Sequence, residues 1–367
     1  MANNIEWSNI TFIFYSLVIA VSALITKFSK TKIKIFRRKY NLTILLFSLL
    51  IILVKGFNTT GRDISKIGGY YYNFLSATSY DNFMDKGVEI GYRSITILIR
   101  NITSNYNIYL LLIALATVIP IISFLRKHES QIDLFSTILI YMSVFLYSSF
   151  SPIRQCLAAS IGLLAFDGML EKKKAKSFVW IVVACSIHTS SIILIIPYIL
   201  FFLKELNKKM IFLIIIAFFL ILFAGKSSIV AMFSSNQRYT GYVTLGSDIG
   251  MEQIVYHTPL LILLYCCRKL SNKENLKLCY CYVLAFFCFG MLGYIISIFG
   301  RFYLTFLPLM YITGHNIKLL KTAHPKYTMI INVIIIMYCS LRFWLFISQY
   351  YNLEDLMPYT NMIGWQF

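Results

Sequence analysis

The sequence predicts an all-α integral membrane protein with many spans, and its composition and apolar pattern are the evidence. Of 367 residues, 58% are hydrophobic and only 13% are charged, whereas a soluble domain carries about 25% charged residues. The mean hydropathy is +0.71, and long apolar runs alternate with short basic segments. Because this chain cannot coat a globule with polar surface, a soluble enzyme, a disordered protein and a collagen-like fibre are excluded.

A membrane helix needs about 20 mostly apolar residues, and several runs reach or approach that length. They are residues 9–26, 41–55, 108–125, 132–150, 156–170, 178–203, 210–224, 254–267, 278–299, 302–313 and 327–347. We treat residues 1–367 as one integral membrane domain, because no low-complexity linker divides them.

The charge pattern predicts the sidedness of these runs. There are 34 basic and 15 acidic residues, a net charge of +19, which in a soluble protein would suggest nucleic acid. Here the basic residues cluster in short loops, as the positive-inside rule expects, so no nucleic-acid partner is predicted. The basic cluster that begins at Lys27 is placed in the cytoplasm, which puts the N-terminus outside.

A break near His188-Thr-Ser-Ser reconciles the later loops with that rule. If residues 178–203 formed one uninterrupted span, every later basic loop would lie outside. A chain that turns back near His188 returns them to the cytoplasm. The sequence therefore predicts about twelve membrane segments, including a broken helix pair, with both termini outside. A broken helix at membrane depth must lie beside protein or a wet cavity, which hints at a functional cavity.

Two outer segments are long, at residues 56–107 and 225–253. In the first, apolar residues recur at helical spacing and predict amphipathic helices on the membrane surface; they are Ile64, Ile67, Tyr71, Phe74 and Leu75. It also holds polar candidates whose carboxylates could act as a base or bind sugar hydroxyls: Arg62, Asp63, Glu89, Tyr92 and Arg93.

A metal site in this loop is weighed and set aside. The spacing of Asp81, Asp85 and Glu89 would place three carboxylates on one helix face, and hard oxygen ligands suit a divalent cation. Gly87 interrupts that helix, so a solvated face is preferred and neither metal nor cofactor is expected. The chain also has no P-loop, no H-E-x-x-H, and no G-x-S-x-G in a suitable strand-to-helix setting.

Arg154 is the first candidate near the apolar runs. Ser151 and Pro152 suit a helix start, so Arg154 falls in the first turn, where a cation opposes the helix dipole unless an anion is present. A helix N-terminus with an arginine makes a good phosphate site. The alternative is an arginine that extends to lipid headgroups.

His188 and Arg301 are candidates with equally open interpretations. His188 could be a general base, because imidazole titrates near neutral pH, or a hydrogen-bonded histidine that caps the broken helix. Arg301, with Tyr303 two residues on, could bind a second phosphate or could anchor the chain at the interface.

Five short motifs together resemble one family. They are Gly61-Arg62-Asp63, Glu89-Ile-Gly-Tyr92, Ser151-Pro-Ile-Arg154-Gln155-Cys-Leu-Ala158, Ile187-His188-Thr-Ser190 and Arg301-Phe-Tyr303. This order is similar to the EpsG family, Wzy-like membrane polymerases of bacterial surface polysaccharides. The most specific piece is Arg-Gln-x-x-Ala followed by a short apolar helix, a basic loop and His-x-Ser. Arg62 and Thr189 depart from the family pattern.

The resemblance implies a glycosyltransferase in the bacterial cytoplasmic membrane with its active site facing outside. Its substrates would be oligosaccharide repeats on undecaprenyl diphosphate, as donor and acceptor, and the lipid bilayer, a flippase and a chain-length regulator would be its partners. Fixed arginines would stabilise the leaving diphosphate, and a base would take the acceptor proton. The base would be His188, or else Asp63 or Glu89. The residues expected to bind substrate are Arg154, Arg301, Gln155, Arg62, Arg93, Arg238, Tyr92 and Tyr303.

Two other functions stay open at this point. A ligase would use similar residues to move a finished glycan onto a lipid or protein acceptor. A non-enzymatic flippase should instead line a central cavity with charge from many helices, whereas the polar candidates here gather at the outer face. The sequence does not distinguish O-antigen, capsule and exopolysaccharide.

Overall fold

The structure, a computed structural model, describes residues 6–35, 38–64, 69–203, 231, 251–292, 301–352 and 354–367. Its helices are α1 (Asn9–Ile25), α2 (Leu42–Gly56), α3 (Gly69–Ser76), α4 (Ile90–Ile102), α5 (Tyr106–His128), α6 (Leu134–Ile140), α7 (Ile153–Leu170), α8 (Lys174–Ile187), α9 (Ile195–Phe202), α10 (Met251–Cys267), α11 (Lys273–Leu292), α12 (Leu309–Ala323) and α13 (Thr328–Tyr350).

Four described helices are long and apolar enough to cross a membrane: Asn9–Phe28, Tyr106–His128, Ile153–Leu170 and Pro325–Tyr350. The mostly helical membrane class is therefore confirmed. The full number of spans, about twelve, and their sidedness stay predictions. The run at residues 210–224 and most of the outer segment at 225–253 lie outside the described residues.

Polar side chains start several of these helices. Ser8, Asn41 and Asp133 precede α1, α2 and α6, and each side chain accepts a backbone N–H from the first turn. Such caps satisfy donors that have no partner inside the helix. The boundaries of the apolar runs in the sequence therefore match these helix starts to within a few residues.

One short β-hairpin interrupts the helical pattern. Strand β1 (Lys32–Ile35) pairs antiparallel with β2 (Arg38–Asn41), with Lys32 opposite Asn41. This hairpin lies in the basic segment after α1 and was not predicted, because lysines and arginines hide the alternation that would indicate strands.

Helix α7 is the centre of the bundle. Within its apolar window 78% of residues are buried, against 50% or less for the other three long helices, and it packs against α5 and α8. Between α6 and α7 the chain forms a π-helical segment, Tyr141–Leu146, and then a 3₁₀ turn, Tyr147–Ser149. The corner between α6 and α7 therefore places Arg154 at the start of the most buried of the four long helices.

The predicted break near His188 is present. Helix α8 ends at Ile187, His188 takes an extended conformation (φ −151°, ψ 119°), and a 3₁₀ segment, Thr189–Leu194, leads into α9. The His188 N–H still bonds to the Ala184 carbonyl at 2.9 Å. The extended residue turns its side chain out of the helix and toward the start of α4.

The segment at residues 354–367 packs back onto the first two helices. The Tyr15 hydroxyl donates to the Leu356 carbonyl at 2.7 Å, and the Tyr359 hydroxyl donates to the Val54 carbonyl at 2.9 Å. The Thr11 hydroxyl also bonds to the Phe367 carbonyl. This non-helical tail therefore closes one end of the bundle with hydrogen bonds that span most of the chain.

Two local expectations were wrong. Residues 77–89 form turns and no helix, so Asp81, Asp85 and Glu89 share no helix face. Residues 302–313 are not one helix either, since a 3₁₀ segment at Arg301–Phe306 precedes α12. Pro308, which has no N–H to donate, precedes the first residue of α12. The helix therefore begins after Pro308, several residues later than the predicted run.

Candidate functional site

Three sequence motifs meet at one end of α7. Glu89 precedes α4, Arg154 lies in the first turn of α7, and His188 follows α8. Arg154 and His188 are 65 and 99 residues from Glu89 in sequence, yet both contact its carboxylate. Together with Thr189 and Tyr70 they form what we call the Glu89 cluster.

The Glu89 carboxylate is the centre of this cluster. Its Oε1 atom lies 2.9 Å from His188 Nδ1, and accepts hydrogen bonds from the Thr189 N–H at 3.0 Å and hydroxyl at 2.9 Å. Its Oε2 atom accepts from Arg154 Nη1 at 2.9 Å. Burial raises the pKa of Glu89, but the hydrogen bonds from His188 and Thr189 and the charge of Arg154 outweigh it and hold that pKa far below its usual range. Glu89 is therefore a carboxylate that orients its neighbours.

His188 is left with one ring nitrogen available. Because an ionised carboxylate only accepts hydrogen bonds, the contact with Glu89 assigns the proton of the neutral ring to Nδ1. Nε2 makes no hydrogen bond with any described residue, and 24% of the side chain is exposed. A histidine oriented by a carboxylate, with its far nitrogen unprotonated, is the arrangement of a general base.

Arg154 is held on three sides. Its Nε donates to the Tyr70 hydroxyl at 2.9 Å, and its guanidinium carbon lies 5.5 Å from the Tyr70 ring centre and 5.9 Å from that of Tyr92. The Tyr92 hydroxyl is bonded in turn to Tyr109 at 2.6 Å. Within the described part of the chain Arg154 Nη2 has no hydrogen-bond partner. The N–H groups of this guanidinium nitrogen can therefore donate to an anion.

Two glycines allow the approach of these segments. A Cβ on Gly91 would lie 2.5 Å from Ser186 Oγ and 2.7 Å from its carbonyl oxygen, where α4 crosses α8. A Cβ on Gly61 would lie 2.6 Å from the Phe150 carbonyl, and this residue has φ +127°, which L side chains rarely adopt. These contacts place Glu89 beside His188, and residues 61–63 against the corner before α7.

Asp63 and Arg62 lie beside the cluster, and the Tyr70 N–H donates to the Asp63 carbonyl at 3.4 Å. The Asp63 N–H donates to Ser151 Oγ at 3.4 Å, and its charge adds to burial in raising the pKa of Tyr70. The Arg62 N–H donates to the Glu354 carbonyl at 2.9 Å. Asp63 is therefore a neighbour of Tyr70, which in turn holds Arg154.

The remaining predicted binding residues are more dispersed. Arg93 places its guanidinium 6.0 Å from the Tyr80 ring, and the Tyr303 hydroxyl donates to Ser148 Oγ at 2.5 Å. Gln155 is buried next to Arg154. Arg301 starts a segment that packs on α7, but its side chain, like the whole of Arg238, lies outside the described residues.

Four polar residues that lie in the cluster or in the buried interior are absent from the predicted site residues. Tyr70 and Thr189 belong to the Glu89 cluster. Lys55 and Arg342 are each 6% exposed, and Lys55 Nζ donates to the Ser149 carbonyl and hydroxyl at 2.7 Å each. A charge inside an apolar run is costly and marks a functional candidate, and this signal could have found both.

Comparison with protein families matches residues 40–361 to one family, described as the EpsG family. The chain belongs to the EpsG family. The match contains all five motifs and confirms the resemblance that they suggest. No curated protein and no solved structure matches the chain.

Membership of the EpsG family, taken with the apolar helices, makes the chain a membrane protein of polysaccharide biosynthesis. Three of the five EpsG-type motifs supply Glu89, Arg154 and His188, which are separate in sequence and joined in the structure. The Gly61 motif packs against their frame. The family pattern and the geometry therefore point to the same end of the bundle.

Proposed function

We propose that this protein is a glycosyltransferase that polymerises oligosaccharide repeat units carried on undecaprenyl diphosphate. The observation that carries the proposal is the Glu89 cluster, in which a carboxylate orients a histidine beside a fixed arginine. These are the two functions that a transfer from a diphosphate requires, a base for the acceptor and a cation for the leaving group.

The proposed transfer uses the two available nitrogens of the cluster. The acceptor hydroxyl gives its proton to His188 Nε2 while its oxygen bonds to the anomeric carbon of the donor. The bond from that carbon to the diphosphate oxygen breaks, and the diphosphate leaves with the electron pair. Glu89 stabilises the imidazolium that forms, and Arg154 meets the charge on the leaving group.

Arg154 suits a diphosphate for a geometric reason. It lies in the first turn of α7, where backbone N–H groups without helical partners favour an anion. Before substrate binds, the negative charge near Arg154 is the Glu89 carboxylate, which accepts a hydrogen bond from Arg154 Nη1. An incoming diphosphate can then engage Nη2 while Tyr70 and Glu89 keep the guanidinium in place, so that little reorganisation is needed.

The proposed site faces the outside of the cytoplasmic membrane. The Glu89 cluster lies at the end of α7 opposite the basic residues Lys127 and Lys176, which contact Asp167 near its other end. By the positive-inside rule the basic end is cytoplasmic. Lipid-linked repeats would therefore reach the cluster from the outer leaflet.

The test is the surface glycan of a strain that lacks this protein, resolved by size. Single repeats attached in the normal way would support a polymerase. Full-length polymer that stays on its lipid carrier would overturn the proposal in favour of a ligase. Loss of all surface glycan, with single lipid-linked repeats retained inside, would indicate a flippase and remove the catalytic roles of His188 and Arg154.

A further inference from the structure

A groove between α1 and α13 lies apart from the Glu89 cluster. It encloses a cavity of about 880 Å³, whose walls are mostly apolar. Lys27, Asp133 and Lys321 line it at one end. Near the other end the rings of Phe12 and Phe343 stack with centroids 5.6 Å apart. The groove therefore has a charged end and an aromatic end.

The groove is long enough to hold an acyl chain of one membrane leaflet. From Phe12 to Lys27 on α1, and from Asn332 to Trp344 on α13, the lining covers about 22 and 18 Å at 1.5 Å per residue. One leaflet contributes about 15 Å of hydrocarbon, half of a core about 30 Å thick. An acyl chain aligned with the helices would therefore fit between the two ends.

The charged end favours an anion. Lys321 pairs with Asp133 at 2.8 Å, which leaves the exposed Lys27 as the excess positive charge of the lining. Asn332 also lines the groove, and its Oδ1 atom is buried with no hydrogen-bond partner among the described residues. Asn332 therefore adds a polar side chain to the lining one turn from the start of α13.

We propose that this groove binds an anionic glycerophospholipid of the phosphatidylglycerol type from the cytoplasmic leaflet. The phosphate lies near Lys27 and Lys321, a headgroup or glycerol hydroxyl reaches Asn332, and an acyl chain runs between α1 and α13 to the Phe12–Phe343 pair. Lysines on the cytoplasmic side attract anionic lipids, and the basic end of this bundle is the cytoplasmic one by the positive-inside rule. The proposal does not depend on the catalytic role of the Glu89 cluster.

The test is native mass spectrometry of the full chain, released from nanodiscs of phosphatidylcholine that contain a small fraction of phosphatidylglycerol. The wild-type protein should retain one phosphatidylglycerol. Lys27→Gln should weaken retention about fivefold, whereas Lys30→Gln, an exposed lysine that does not line the groove, should not. Ala20→Trp should fill the groove and weaken retention about tenfold, and Leu17→Trp, on the lipid-facing side of the same helix, is its control.

Three results would overturn the proposal. One is equal retention of phosphatidylcholine and phosphatidylglycerol by the wild-type protein. Another is equal weakening by Ala20→Trp and Leu17→Trp. The third would come from nanodiscs that also contain undecaprenyl phosphate: if that lipid replaces phosphatidylglycerol and Ala20→Trp blocks it, the groove belongs to the carrier lipid.

Discussion

The two ends of α7 carry clusters of similar composition. At its start, Glu89 pairs with His188 and Arg154. Near its other end lies the Asp167 cluster, consisting of Asp167, His128, Lys127, Lys176 and Glu171. In both clusters a carboxylate oxygen lies 2.9 Å from a histidine ring nitrogen. The difference between them is the basis on which we propose a catalytic role for His188 and a structural role for His128.

The difference is in the second ring nitrogen. In the Asp167 cluster, His128 Nε2 contacts Asp167 and Nδ1 contacts Gln131 Oε1 at 3.3 Å, and only 5% of the side chain is exposed. His188 contacts Glu89 through Nδ1, and Nε2 makes no hydrogen bond with any described residue. A buried histidine with both nitrogens engaged holds helices together, and a partly exposed one with a free nitrogen can move a proton.

Loss of the arginine should give the largest effect. Arg154→Ala removes the donor that we assign to the leaving diphosphate, and such donors contribute about 10²–10³-fold. We expect polymer formation in a complemented deletion strain to fall by about 10³-fold, with normal amounts of protein in the membrane. Lys176→Ala, which removes a cation from the Asp167 cluster, is the control and should retain polymer. Activity that survives in Arg154→Ala would place the diphosphate site elsewhere.

The two histidines should respond in opposite ways. His188→Gln should lower polymer formation by about 10²-fold or more, because a general base contributes about 10²–10⁴-fold, and should leave the thermal unfolding midpoint in detergent nearly unchanged. His128→Ala should lower that midpoint and leave the activity of the folded protein intact, because it leaves Asp167 with one hydrogen bond fewer. Equal effects on activity would end the distinction between the clusters.

Alanine substitutions at Gly91 and Gly168 compare the helix contacts beside the two clusters, and we expect smaller effects from them than from the loss of Arg154 or His188. Gly91→Ala would push α4 away from Ser186 and should separate Glu89 from His188, so activity should fall about tenfold. At the other cluster a Cβ on Gly168 would lie 2.5 Å from Ser177 Oγ and 3.0 Å from its backbone nitrogen. Gly168→Ala should therefore lower thermal stability more than activity. A Gly91→Ala protein with full activity would show that the contact between α4 and α8 does not position Glu89.

The smallest effect should be on stability in acid. Hydrogen bonds from Lys127, Lys176 and Lys173 lower the pKa of Glu171 from 4.5 to about 2. A carboxyl whose pKa is lower in the folded state stabilises it above the unfolded pKa, and this contribution is lost as the pH falls. Between pH 4.5 and 2 the unfolding midpoint of the wild-type protein should therefore decrease more steeply than that of Glu171→Gln. Parallel curves would mean that these exposed lysines contribute little, as is common for surface ion pairs.

The sequence predicted the parts of the site but not their assembly. Apolar runs predicted most of the described helices, because a run depends on local composition. The break at His188 was predicted from the sidedness of the later basic loops, which the positive-inside rule places in the cytoplasm. Arg154 was correctly placed in a first helical turn. That its anion is Glu89 could not be predicted, since the two are 65 residues apart and no local rule pairs them. For the same reason the sequence could name His188 as the base, with Asp63 or Glu89 as alternatives, but could not show that Glu89 and His188 are in contact.

The closure of the bundle by its non-helical tail has a consequence for biosynthesis. The hydrogen bond from Tyr15 to Leu356 joins residues 341 apart, so Tyr15 enters the membrane long before its acceptor exists. At about 5–20 residues per second the ribosome needs roughly 17 to 68 s to make the chain between them. Throughout that interval the Tyr15 hydroxyl must bond to water or lipid headgroups, and the Leu356 carbonyl replaces these partners only after it has been synthesised.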